Sequence, residues 1–423
     1  MATGGLSFAF HLPTRIHVGE GLLGETGRLT RGLFDRPGAG DAGRPVATRR
    51  ALLVTDPGVR RAGLTDLVRR SLEEAGFACE CFDGIEPNPK DRDCEAGAAV
   101  ARVFGPEVIV AVGGGSVLDA AKVIALLNTH PGRVGDYEGR GKVTGEVTPL
   151  VAIPTTAGTG SEVTRSAVIT DTGRNFKFTV KDVRLAPALA VVDPLTTHAL
   201  PRDITASTGM DALVHAVEAY TSRPANPMSD SLAAAAMERI FPSLRAVVAD
   251  GRNHPARYDM MVGSTLAGLA FSHSDVGAVH CLAEALGGLY DTPHGVANSI
   301  FFPAVTAFNA QADPAKHARA AAACGLPVAG LSPEEAATAL AEAIRNLARD
   351  IGIPAFASLP RVRPADFDRL AEASFANGST PSNCRPITQE DYLRLLRESW
   401  AEGPGRWAGG PGRRPVGPGR RPH

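Results

Sequence analysis

An α/β half over residues 1–200, followed by an all-helical half over 201–402, is the architecture that the sequence predicts. Three observations carry this expectation. Short apolar runs alternate with helix-spaced stretches as far as Pro201, and strand-like runs become scarce after it. Residues 403–423 then form a Gly/Pro/Arg-rich tail without apolar periodicity, expected to be disordered. Strands alternating with helices build a parallel sheet with crossover helices, whereas helical runs alone must pack on one another.

In chain order, 35–50 (DRPGAGDAGRPVATRR) reads as a surface loop inserted before the first strong strand. That strand, 51–55 (ALLVT), stops at Asp56-Pro57-Gly58, a turn sequence. Helical spacing follows over 64–75, and Cys79-Glu80-Cys81 reads as two same-facing residues of a strand. Residues 108–112 (VIVAV) form a buried strand stopped by Gly113-Gly114-Gly115. Ser116 is expected to cap the next helix, with Asp119 at the third position of a capping box. Residues 150–153 and 188–192 complete the strands. Helices are expected over 210–220, 230–241, 260–272, 278–286, 333–350 and 366–376.

Composition narrows the function classes. The net charge is −1, and the tail holds five Arg and no acid, so the remainder of the chain is acidic. That balance argues against nucleic-acid or membrane partners. The start lacks a signal-peptide pattern, no charge-free apolar stretch reaches membrane-spanning length, and six scattered Cys form no disulfide framework. A cytoplasmic protein is expected.

Chemistry concentrates in two places. VIVAVGGGSVLDAAK puts glycines between a strand and a helix, where unhindered N–H groups attract phosphate. IPTTAGTGSE offers Thr155, Thr156, Thr159 and Ser161 hydroxyls beside open backbone, so the two turns together suggest dinucleotide binding. Asp56 either accepts a ribose hydroxyl or only shapes its turn. In the helical half Asp211 and His215 lie four apart, on one helix face. With His280, expected within a helix, and His294, expected in the TPHG loop, they form a plausible N3O site for Fe²⁺ or Zn²⁺.

The ordered set GGGSVLDAAK, AIPTTAGTGSEVT, VVDPLTTHALP, TGMDALVHAVEAYTS and VHCLAEALGGLYDTPHGVAN resembles the iron-containing (group III) alcohol dehydrogenase family, from Thr14 to Trp400. The resemblance implies the dehydroquinate synthase-like fold, an α/β nucleotide-binding domain facing an all-α domain across the catalytic cleft. It implies Asp211, His215, His280 and His294 as metal ligands. It implies Gly114, Gly115, Ser116 and Asp119 at the pyrophosphate loop and its helix, which continues through Lys122. Thr155, Thr156, Thr159, Asn88 and Lys177 are implied around the cofactor. Asp56 matches the acid that favours NAD over NADP. The expected activity is metal-dependent hydride transfer between NAD(H) and a small alcohol, aldehyde or ketone, by a homodimer or higher homo-oligomer.

One position departs from the pattern. Many relatives carry a second His four residues after the first ligand, where this chain has Glu284. Glu284 is expected to orient substrate or relay the alcohol proton, with His273 assisting, or else only to tune electrostatics. A maleylacetate-reductase-like enzyme and a dehydroquinate-synthase-like lyase are the competing readings. The intact Asp-His-His-His set speaks against the first, and the lack of clustered basic residues near the motifs against the second.

Overall fold

The computed structural model describes residues 7–35, 49–174 and 176–401. The expected tail at 403–423 and the 36–48 part of the expected insertion lie outside these residues. Arg49 and Arg50, placed in that insertion by the sequence, begin a strand instead.

A six-stranded sheet organises the first half. Its strands are β1 (Arg15–Val18), β2 (Arg49–Val54), β3 (Phe77–Phe82), β4 (Val108–Gly113), β6 (Leu150–Pro154) and β9 (Leu189–Val192), and every pairing is parallel. A smaller sheet joins β5 (Gly139–Arg140), β8 (Phe176–Lys181) and β7 (Ser166–Asp171), the last two as an antiparallel pair. The short helices α1 (Thr26–Arg31) and α2 (Pro57–Arg61) and the longer α3 (Leu64–Glu74), α4 (Asp91–Phe104) and α5 (Gly115–Thr129) complete this half.

Strand β4 shows why the sequence folds this way. All six of its residues are buried. Ile109 and Ala111 enter the core on one side of the sheet, while Val108, Val110 and Val112 enter the core on the other. A continuous apolar run is what a strand covered on both faces requires. The sheet order β1-β9-β6-β4-β2-β3 reverses direction between β2 and β4. In such sheets the crevice beyond the carboxyl ends at the reversal is where ligands bind. Asp56 follows β2 there, and the glycine turn follows β4.

Beyond Val192 the chain is helical. The helices are α6 (Arg202–Thr221), α7 (Pro227–Ala249), α8 (His254–His273), α9 (Ala278–Tyr290), α10 (His294–Ala310), α11 (Pro314–Ala323), α12 (Pro333–Ile351), α13 (Phe367–Phe375) and α14 (Gln389–Ala401). Helix α6 is buried along nearly its whole length and forms the axis of this half. Several helices exceed their expected limits. Helix α7 runs through Pro242, where the sequence reading stops it. An interior proline costs about 3 kcal/mol, and here α7 is held by burying Ile240, Phe241 and Leu244 in the helical core.

The two halves touch through glycines and a buried acid. Gly160 has φ +60°, and a Cβ on it would sit 2.5 Å from Gly268 Cα on α8. No side chain fits between these backbones. Beside them Thr265 Oγ1 donates to Glu162 Oε1 at 2.8 Å, and burial raises the Glu162 pKa.

Candidate active site

The glycine turn forms one wall of the cleft between the halves. Helix α5 begins at Gly115 with Gly114 as N-cap, and among the described residues no side chain caps it. This corrects the expected capping box. The Ser116 hydroxyl instead accepts from the Asn88 N–H at 3.2 Å. Asp119 reaches away from the helix start to accept from Ser161 Oγ at 2.6 Å and from Val168 N–H at 2.9 Å. The first N–H groups of α5 are thus free of side-chain partners, as an anion site requires. A Cβ on Gly115 would lie 2.4 Å from Thr159 Cγ2.

Lys122 lies one turn further along α5 and points inward. Its ammonium is wholly buried and donates to Ser161 Oγ (2.7 Å), Thr164 Oγ1 (2.9 Å) and the Ser166 carbonyl (2.8 Å). It ties the second glycine turn to the β7–β8 hairpin and does not line the cleft.

The helical wall carries the ligand set. Asp211 and His215 sit on α6, His280 on α9, and His294 opens α10; one ligand atom of each lies within 4.8 Å of all the others. His294 is therefore helical, a correction to the expected loop. Proline at 293 ends the preceding segment and leaves 294 as the first helical residue.

The donor set fits a divalent transition metal. His280 Nε2 faces His215 Nε2 at 3.0 Å, and His294 Nε2 lies 3.7 Å from Asp211 Oδ1. His280 Nδ1 meets Glu218 Oε2 at 2.6 Å, which places the proton on Nδ1 and leaves Nε2 a lone pair for ligation. Burial holds the His215 pKa near 4 and the His294 pKa near 3, so both rings are neutral, as ligands must be. Burial opposes the Asp211 charge, but the neighbouring imidazoles and the Asn298 amide keep its pKa below the usual value. The Asn298 Nδ2 group points at Asp211 Oδ1 (2.6 Å), His294 Nε2 (3.1 Å) and His280 Nε2 (3.2 Å), while its buried Oδ1 has no partner among the described residues. A donor aimed at three convergent acceptors marks a place that demands positive charge. Three of the ligand residues are buried, and His294 is half-exposed towards the cleft.

Of the residues expected to bind cofactor or act in catalysis, the cleft brings together Asn88, Gly115, Ser116, Asp119, Thr159, Lys177 and Glu284. Asn88, at φ +52°, bridges the walls: Nδ2 donates to Asp291 Oδ1 at 2.8 Å and Oδ1 accepts from Lys177 Nζ at 2.8 Å. Burial lowers the Lys177 pKa to about 8. Glu284 Oε2 accepts from Asn377 Nδ2 at 2.6 Å.

Other expected residues stand apart from that lining. Asp56 caps α2, its Oδ1 accepting from Gly58 N–H (2.7 Å) and Val59 N–H (2.9 Å). Thr155 is buried, its N–H bonded to the Gly113 carbonyl, and the Thr156 methyl packs under Gly114. His273 does not face the ligand cluster. Its Nδ1 meets the Leu269 carbonyl at 2.8 Å, its Nε2 the His11 carbonyl at 2.9 Å, and its ring stacks on Phe10. The α8 main chain has taken one nitrogen and the segment preceding β1 the other, and the second partner could not be read from spacing along α8.

Sequence reasoning missed Glu218, Asn298 and Asp291. Two of these left a signal. Glu218 is the third member of a 211/215/218 stripe on one helix face, and Asn298 lies one turn after His294.

Residues 13–194 match the family model for iron-containing alcohol dehydrogenase, and residues 205–400 that for the Fe-containing alcohol dehydrogenase family, C-terminal. The chain is 43% identical over 354 residues to a 1,3-propanediol dehydrogenase of Klebsiella pneumoniae, covering 83% of this chain and 92% of that one. It is 37% identical over 354 residues to a lactaldehyde reductase of Escherichia coli, with the same coverages. Among solved structures, a 1,3-propanediol oxidoreductase superposes with TM-score 0.87 at 40% identity, covering 93% of this chain and all of that one. An alcohol dehydrogenase from Oenococcus oeni does so with TM-score 0.87 at 34% identity and the same coverages.

Proposed function

The chain belongs to the iron-containing alcohol dehydrogenase family, and from that premise we propose how its own residues divide the work of an NAD(H)-linked alcohol dehydrogenase and aldehyde reductase. The observation that carries the assignment is the convergence of one carboxylate and three imidazoles on the cleft, opposite an uncapped helix start.

The family uses iron and NAD(H). When bound, the metal supplies Lewis acidity towards the substrate oxygen, and nicotinamide donates or accepts the hydride. Asp211, His215, His280 and His294 hold the metal, with Glu218 and Asn298 orienting the ligands. The N–H groups at Gly115 and Ser116 receive the pyrophosphate, and Thr159 and Asn88 line the path of the dinucleotide. The Asp56 carboxylate accepts from the ribose and disfavours a 2′-phosphate. Lys177 bonds to Asn88 and keeps the two walls in register. Glu284 lines the cleft beside these groups and orients the substrate hydroxyl or holds its proton. His273 acts as a positioning residue on α8, since its nitrogens are engaged by the Leu269 and His11 carbonyls.

The substrate is a small alcohol, aldehyde or ketone. A cytoplasmic location is part of the proposal, supported by six free cysteines. A homodimer or higher oligomer is also proposed, supported by β1 at the sheet edge with Val18 exposed. Among the described residues no helix is long and apolar enough to cross a membrane.

Purified iron-loaded protein is expected to oxidise NADH with short aldehydes and to lose this activity on chelation. Asp211→Ala and His294→Ala are expected to lose bound metal. Full activity in a metal-free preparation refutes the assignment.

A further inference from the structure

The charged side chains that line the cleft are nearly all satisfied by the protein itself. Asp119 accepts from Ser161 and Val168, Lys177 donates to Asn88, and Glu284 accepts from Asn377. Asp275 accepts from Ser382 Oγ at 2.8 Å, Val276 N–H at 3.0 Å and Ser379 Oγ at 3.2 Å. Lys181 is the exception. Among the described residues its ammonium has no hydrogen bond and no carboxylate within 4 Å, yet it lines the cleft and is only half-exposed.

Its surroundings are cationic. Lys181 ends β8, opposite Arg140 on β5 and Ser166 on β7. Arg140 and Arg165 both act on Lys181 electrostatically, against the single opposing carboxylate of Asp275. Asp275 is already bonded to two hydroxyls and an N–H, with Arg140 4.0 Å away. Burial without a partner lowers the Lys181 pKa, a penalty that an arriving anion relieves.

The position sets the length of what reaches it. Lys177, Thr179 and Lys181 share the cleft-facing side of β8. Lys177 lies against α9 at Gly287, two turns past the ligand His280, and acts electrostatically on the ligand His294. Four residues of strand put Lys181 about 13 Å further along. The flexible lysine stem spans part of that gap, and a substrate of several carbons spans the rest.

We infer that Lys181 receives the anionic end of the substrate, so that the enzyme prefers short ω-oxo carboxylates over neutral aldehydes. The inference rests on the oxidoreductase reading above. In the reducing direction, hydride passes from NADH to the aldehyde carbon and a proton to its oxygen. The products are an ω-hydroxy carboxylate and NAD⁺, and the carboxylate is untouched.

The test compares kcat/KM for 4-oxobutanoate and butanal, two aldehydes of equal chain length, using iron-loaded enzyme and NADH. The wild type is expected to favour 4-oxobutanoate. Lys181→Met should lower its kcat/KM about 10- to 150-fold, the range for losing a hydrogen bond to a charged group. Butanal should change less than about threefold on the same reasoning. Lys181→Arg should retain most of the preference. Glutarate, a dicarboxylate without a reacting carbonyl, should compete with the aldehyde in the wild type, a reading independent of how well the variants fold. Equal use of both aldehydes, preference for a cationic aldehyde, or no competition by glutarate overturns the inference while butanal turnover keeps the oxidoreductase reading intact. Failure to turn over any aldehyde or alcohol overturns both.

Discussion

Replacing Glu218 by Gln probes the ligand cluster without touching a ligand. The Glu218 carboxylate accepts from His280 Nδ1 at 2.6 Å through Oε2 and from the Val279 N–H at 2.8 Å through Oε1. It is buried, and a Cβ on Gly277 would sit 3.0 Å from Oε1, so glutamine has little room to reorient. Glutamine keeps the shape and one acceptor but removes the charge that fixes the His280 tautomer. If its NH2 turns towards His280, Nδ1 must become the acceptor and Nε2 the protonated nitrogen, which cannot ligate. A hydrogen bond to a charged group contributes about 1.5–3 kcal/mol, roughly a 10- to 150-fold change in an equilibrium constant. Outer partners of metal-bound histidines typically contribute about 10- to 100-fold in affinity. Glu218→Gln is therefore expected to weaken metal binding by about one to two orders of magnitude with the fold preserved. Competition against a chelator of known affinity measures this without recourse to turnover, and circular dichroism checks the fold. A metal affinity within about threefold of wild type, well below that range, would falsify the positioning role of Glu218.

Three further outcomes follow from named contacts. Gly115→Ala drives a Cβ to 2.4 Å from Thr159 Cγ2. Overpacking of this kind costs about 1–3 kcal/mol, and NADH binding followed by fluorescence should weaken accordingly; unchanged binding would separate this turn from the cofactor. Lys122→Met strips the partner from Ser161, Thr164 and Asp119 inside the protein. Breaking such a buried charged network costs about 3–5 kcal/mol, to be read from urea unfolding; a loss below about 1 kcal/mol, well under that range, counts against it. Lys177 has a folded pKa of about 8 against 10.5 for the free side chain. Between those values the unfolded chain binds more protons than the folded one, so this residue makes stability rise with pH from about 8 towards 10.5. Lys177→Gln should flatten that rise in melting temperature, and an unaltered pH dependence rejects it.

Much of the fold was legible because burial writes itself into local patterns. A strand covered on both faces reads as VIVAV, and a buried helix such as α6 is apolar along most of its length. Helix ends were less legible, since α7 continues through Pro242 only because its neighbours compensate. The capping box at Ser116 failed for a related reason. Asp119 has the right spacing, but the β7–β8 hairpin offers it Val168 N–H, and that partner is 49 residues away.

The ligands Asp211, His215, His280 and His294 were named from the sequence, as residue types that suit a metal and as a resemblance to a family. Their convergence within 4.8 Å belongs to the tertiary structure, because α6, α9 and α10 must pack before the ligands meet. Glu218 and Asn298 were half-visible as helix-face partners, whereas Asp291 bonding to Asn88 across 203 residues left no local trace. His273 shows the reverse case, a plausible histidine that the His11 main chain captured. Lys181 shows what folding alone can decide. The local pattern of FKFTVK does not distinguish its second lysine from its first, and the resemblance names only Lys177; once the hairpin lines the cleft, Lys177 finds Asn88 and Lys181 finds no partner among the described residues. The sequence by itself determined which groups the protein possesses and the periods that bury them. Only long-range packing decided which charges are satisfied and which face the cleft, because a charge's partners depend on distances the chain acquires when it folds.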